Sequence, residues 1–141
     1  MMLLLRRVFN LLVRSENIRY GTLPTSADAA AAAAVTLTSA AVAWTWGNWA
    51  QIAATVGTAE VQITGGSLEN FVGAASQAEI EIGIGAGAAE VAIARVQTTN
   101  AQFVFDSPIR VPAGTRVAAR YRTSTGAADT VDVKLNTKTG F

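Results

Sequence analysis

From Val35 onward the chain alternates apolar and polar residues with a period of two, and this alternation constrains its fold more than any other feature. Ile80, Ile82 and Ile84 alternate with Glu79, Glu81 and Gly83. Val61 and Ile63 alternate with Glu60 and Gln62 ahead of Gly65-Gly66, and Val131, Val133 and Leu135 alternate with Thr130, Asp132 and Lys134. Successive side chains of an extended strand point to opposite faces, so each run describes a strand buried on one face and wet on the other. Further strands are expected over residues 35–40, 43–53, 90–96, 101–105, 108–111 and 115–122. No helical pattern of useful length separates them. Strand-helix-strand units are therefore excluded, and an antiparallel sandwich of about eight strands is expected.

Composition narrows the chemistry. The 141 residues contain no cysteine and no histidine. That removes the thiolate nucleophile, disulfide and zinc-finger frameworks, and the side chain best suited to proton transfer near neutral pH. No catalytic residue, cofactor site or metal site is expected. Charged residues are 15% of the chain against 50% apolar, with a formal net charge of +1; this balance supplies no basic field for nucleic acid. So apolar and charge-poor a surface suits contact with other protein.

The segment 1–34 reads as an N-terminal arm and Ala-rich linker, and 35–141 as the sandwich domain. In the arm, Leu5, Val8, Phe9 and Leu12 fall at helical intervals, with Arg6, Arg7, Asn10 and Arg14 opposite. Its apolar stretch is too short and interrupted to span a bilayer. A secretory leader would place its positive charges ahead of the apolar run, whereas Arg6 and Arg7 lie inside it. The alanine run after Asp28 reads as a hinge, either a capped turn of helix or an extended linker.

Four groups of residues bear on function. The segment Gly83-Ile84-Gly85-Ala86-Gly87 has the glycine density of a phosphate loop. The residues from Glu90 resume a strand pattern rather than a helix, so a glycine-rich hairpin is expected. Glu79 and Glu81 share one strand face, as a glycosidase pair would, but nothing beside them would hold one carboxyl neutral. Arg116, Arg120 and Arg122 alternate with Val117, Ala119 and Tyr121, making an outward basic row. This row forms either a charge ladder with Glu79 and Glu81 or an orienting contact to another chain. Trp44, Trp46 and Trp49 form the densest aromatic cluster. On a strand, Trp44 and Trp46 would share a face, available for core closure, subunit contact or stacking on sugar rings. Pro112 and Gly114 mark a tight turn, and Pro108 is expected to begin an edge strand.

The succession Ala78-Glu-Ile-Glu-Ile-Gly-Ile-Gly85, Glu90-Val-Ala-Ile93, Pro108-Ile-Arg-Val-Pro-Ala-Gly-Thr-Arg-Val-Ala-Ala-Arg120 and Thr130-Val-Asp-Val-Lys-Leu135 resembles the small jelly-roll structural proteins of tailed bacteriophages. Length and alanine content make the chain similar, among these, to the capsid cement, or decoration, proteins of short-tailed phages of the Bordetella phage type. The resemblance covers roughly the last two thirds of the sequence. It implies a non-enzymatic virion protein on the outer capsid surface, a jelly-roll subunit that bridges neighbouring major capsid proteins and pairs as a homodimer. On this reading Leu4, Leu5, Val8, Phe9 and Leu12 anchor the arm and Arg116, Arg120 and Arg122 orient it, with neither nucleic acid nor membrane as a partner. A tail-fibre or receptor-binding module using Trp44, Trp46 and Trp49 on glycans is the alternative, and an exported or membrane-anchored β-domain is a third class.

Overall fold

A computed structural model describes residues 18–25, 34–73, 77–97 and 100–140. Among them nine strands form two antiparallel sheets: β1 (Arg19–Leu23), β2 (Val35–Thr38), β3 (Ala50–Ala53), β4 (Val61–Val72), β5 (Ala78–Ile84), β6 (Val91–Gln97), β7 (Gln102–Val111), β8 (Val117–Thr123) and β9 (Thr130–Thr139). One sheet runs β1-β9-β4-β7, with β2 also on β9, and the other runs β3-β8-β5-β6. β1 and β2 occupy successive halves of one β9 edge, Arg19 opposite Thr139 and Val35 opposite Val133. Counted as one interrupted strand, they complete the two four-stranded sheets of a jelly roll. The expected all-β, jelly-roll-like sandwich is the fold.

The core lies between the sheets and is built from the alternating residues. Ile63, Ile80, Ile82, Val131, Val133 and Leu135 are fully enclosed, joined by Leu37, Leu68, Val111, Val117 and Tyr121. Each such side chain contributes on the order of 1.5–3 kcal/mol by leaving water.

Three strand expectations are corrected. Gly65-Gly66 does not end its strand. β4 runs through it to Val72, and the missing side chains admit β7: a Cβ on Gly65 would lie 2.2 Å from the Phe103 carbonyl oxygen, and one on Gly66 would meet the Phe103 ring at 2.6 Å. The strands expected at 101–105 and 108–111 are one strand, β7. Its register on β4 jumps from Ile63 opposite Ile109 to Gly65 opposite Val104, so Pro108 falls in a bulge on an edge strand rather than at a strand start. The strand expected over 43–53 is reduced to Ala50–Ala53, and the tryptophans precede it in a loop.

A fourth difference concerns the arm. Arg19–Leu23, assigned from sequence to the arm, belongs to the sandwich as β1, with Leu23 in the core. Backbone hydrogen bonds between loops distant in sequence fix the two ends of the sandwich. At one end Gly114 N–H donates to Gly57 O, Val56 N–H to Thr115 O and Gly85 N–H to Arg116 O. At the other, Ser39 N–H donates to Asp129 O and Ser124 N–H to Gln77 O. β1 enters at the first end, beside Thr139.

Candidate functional site

The outer face of the β3-β8-β5-β6 sheet carries charges where most sandwiches carry scattered polar groups, and register explains how they meet. Glu81 on β5 stands directly opposite Arg120 on β8 and Arg95 on β6; Glu79 stands opposite Arg122. Glu81 Oε1 accepts from Arg95 at 2.8 Å and Glu81 Oε2 from Arg120 Nε at 2.6 Å. Arg122 Nε donates to Glu79 Oε2 at 2.8 Å. At the far end of the row, Arg116 donates to Glu90 at 2.7 Å, to Gln51 Oε1 at 3.0 Å and to the Gly85 carbonyl at 3.3 Å. Of the two readings of the arginine row, the cross-strand ladder is the one the structure displays.

The loop of residues 39–49 folds over this ladder and roofs it with indoles. Trp44 N–H donates to Thr123 O at 2.8 Å and Gly47 N–H to Tyr121 O at 2.9 Å, tying the loop to β8. Trp44 has φ of 57°, incompatible with the strand expected there. Gly47 sits so close to β2 that a Cβ would lie 1.8 Å from the Thr38 carbonyl oxygen. The Trp46 ring centre lies 4.4 Å from the Arg122 guanidinium carbon, 5.0 Å from that of Arg120 and 5.2 Å from that of Arg95. Arg120 is also 4.4 Å from Trp49, and Arg122 is 5.6 Å from Trp44. Planar, weakly hydrated guanidinium groups suit both roles, forked to a carboxylate below and stacked on an aromatic face above. Trp49 reaches Gly83, where a Cβ would meet its ring at 2.7 Å. Gly83 is therefore a strand residue beneath an indole, and the glycine-rich segment after it is the expected hairpin, with β5 and β6 antiparallel and Gly85 at φ 119°.

Electrostatics follow from this roof. Burial raises the Glu81 pKa, but hydrogen bonds and charge from Arg95 and Arg120 outweigh it and hold the carboxyl below its ordinary value. The Arg116 hydrogen bond likewise lowers Glu90. Neither carboxyl is driven toward the neutral form that a general acid near neutral pH requires, and both of the residues once paired as glycosidase candidates, Glu79 and Glu81, are engaged by arginine. Among the described residues no cluster of three or more acidic side chains could hold a metal ion.

Two polar features escaped the sequence reading. Asp129, buried in the turn between β8 and β9, accepts from the hydroxyls of Thr123 and Thr125. It closes the end of the sandwich against Ser39. On the outer face of the other sheet, Asp132 accepts from Thr36 at 2.5 Å and Asn70 at 2.8 Å, which lowers its pKa. A groove of about 370 Å³ opens between β2 and the tryptophan loop, lined by Thr36, Thr38, Ser39, Trp46, Asn48 and Trp49 among others.

Leu4, Leu5, Val8, Phe9 and Leu12 lie outside the described residues. Arg116, Arg120 and Arg122 are brought together on one face, but their charges are met within the chain. Trp44 and Trp46 do not share a strand face; they and Trp49 form the roof instead. No protein-family model matches the chain, and no curated protein is significantly similar to it.

Proposed function

We propose that the chain is a virion structural protein, a cement or decoration subunit that binds the outside of a bacteriophage head and stabilises contacts between major capsid proteins. The observation that supports it is a jelly-roll-like sandwich that meets the arginines of one outer face within the chain and leaves a valine exposed on each of two neighbouring edge strands. β6 and β7 are the adjacent edges of the two sheets, and they leave Val91 65% and Val104 82% exposed. Edge-strand backbone groups beside exposed valines offer a protein partner both hydrogen bonds and apolar contact.

The mechanism is linkage. A subunit that binds the assembled shell and not its dissociated parts stabilises the assembly by its own binding free energy, repeated at every copy. The basic, apolar segment preceding Arg19 is the proposed anchor, and β1 fastens it to the sandwich through a five-pair ladder on β9. The alternative, a receptor-binding module of a tail, places the same fold elsewhere on the particle.

Sedimentation of phage particles with added protein, followed by electron microscopy of the pellet, tests this. The full chain is expected on heads, while a chain lacking residues 1–17 remains in the supernatant with an unchanged β-sheet circular dichroism spectrum. Decoration of tails supports the alternative, and absence from every particle fraction rejects both.

A further inference from the structure

We infer that the groove between β2 and the tryptophan loop is a binding site for a neutral saccharide. The groove is lined by Thr36, Thr38, Ser39, Trp46, Asn48 and Trp49, together with three small residues, and no charged side chain is among them. Its volume of about 370 Å³ lies at the lower end of small-molecule sites, with room for one or two sugar rings.

The chemistry of the lining matches that ligand in each part. Two indoles supply flat apolar surface for the C–H face of a pyranose. The Thr38 hydroxyl and the Asn48 carboxamide supply both donors and acceptors for ring hydroxyls, while the Thr36 hydroxyl is held by Asp132 and the buried Ser39 hydroxyl by Thr123. Thr38 and Asn48 are exposed, and neither side chain hydrogen-bonds another described residue, so both are free to exchange water for a ligand. An anion would find no cation in the groove, because the nearby arginines are held by Glu79, Glu81 and Glu90. A cation would find only the Asp132 carboxylate behind Thr36, already occupied by two donors.

The site is also held in shape before any ligand arrives. Arg95, Arg120 and Arg122 stack on Trp46, and the Gly47 N–H bond to Tyr121 O fixes the loop between the two indoles. Preformed aromatic walls lose little conformational freedom on binding. The loop that forms the groove closes the end of the sandwich opposite to where β1 enters, so the site and the proposed anchor are separate. The inference stands independently of the shell-binding proposal.

All three tryptophans of the chain, Trp44, Trp46 and Trp49, lie in this loop, so intrinsic fluorescence reports on it directly. The intact protein is titrated with neutral mono- and disaccharides, including glucose, galactose, rhamnose and N-acetylglucosamine, and applied to an array of bacterial surface glycans. At least one neutral sugar is expected to shift the emission saturably. Asn48→Ala and Thr38→Val, both at exposed positions, should each weaken that response about tenfold or more without altering the circular dichroism spectrum. No saturable response to any sugar or array glycan overturns the inference, as does a response that both substitutions leave unchanged. Preference for charged over neutral glycans also overturns it.

Discussion

Glu81 receives guanidinium groups from strands on both sides, and its side chain is only 4% exposed. A carboxylate so enclosed is stable only while both partners are present. Its lowered pKa means that the folded protein binds fewer protons there than the unfolded chain, so stability rises with pH across that interval. The contribution is complete above the ordinary value of 4.5 and is lost as pH falls below it through the folded pKa. Glu90 and Asp132 act in the same direction. Tyr121 gives the opposite limb: burial, aided by Asp129, raises its pKa above 10.0, so the folded state is favoured below that value and loses ground as pH rises through it. Urea unfolding across pH should therefore show a plateau that falls at both ends. Glu81→Gln should cost about 1–3 kcal/mol at pH 7, a difference from the parent that shrinks below pH 4.

The loop of residues 39–49 depends on one glycine for its course. Gly47→Ala places a methyl against the Thr38 carbonyl and must displace the loop, at a cost of about 1–3 kcal/mol. Red-shifted tryptophan emission and a lower urea midpoint would record it. Gly87→Ala, where a Cβ meets nothing within 4 Å, serves as the control and should leave both unchanged. This element also marks the limit of what the sequence makes legible. Strands such as β5 and β9 are written locally, because alternation along one segment states which face is buried. The same alternation puts Trp44 and Trp46 on a strand, which the φ of 57° at Trp44 rules out. The tryptophan roof arises from register between β5, β6 and β8, which brings Arg95 and Arg120 to the same carboxylate from positions far apart in the chain. The alternation of Glu79 with Glu81 on one segment and of Arg116, Arg120 and Arg122 on another is the available signal, and a charge ladder is one of the two arrangements it allows. Nothing in a linear pattern indicated what would cover it. The merging of 101–111 into β7 was hidden for a similar reason: the bulge around Pro108 breaks the alternation without ending the strand.

At the level of the whole molecule, β1 and β9, distant in sequence, close the sandwich among the described residues. β9 lies between β4 and the β1–β2 edge, so it completes one sheet by pairing with strands far from it in the sequence. Folding therefore requires contacts across nearly the full chain and is expected to be slow, on the millisecond-to-second scale usual for such topologies. The arm expected from sequence to end at residue 34 contributes five residues to this closure. Removing residues 1–17 spares β1, whereas removing 1–23 deletes it, exposes the β9 edge and empties the place of Leu23. The longer truncation should cost about 3 kcal/mol or more and lower the melting temperature by on the order of 10 °C. Differential scanning calorimetry of the two truncations separates an anchoring segment from a structural strand.

The pairing of Arg19 with Thr139 has a practical corollary for protein engineering. A fluorescent or affinity module fused behind Gly140 emerges on the same rim as the chain preceding Arg19, and would crowd whatever that rim touches. Cargo intended for display is better inserted between Ala127 and Ala128, which are exposed at the far pole beside the buried Asp129.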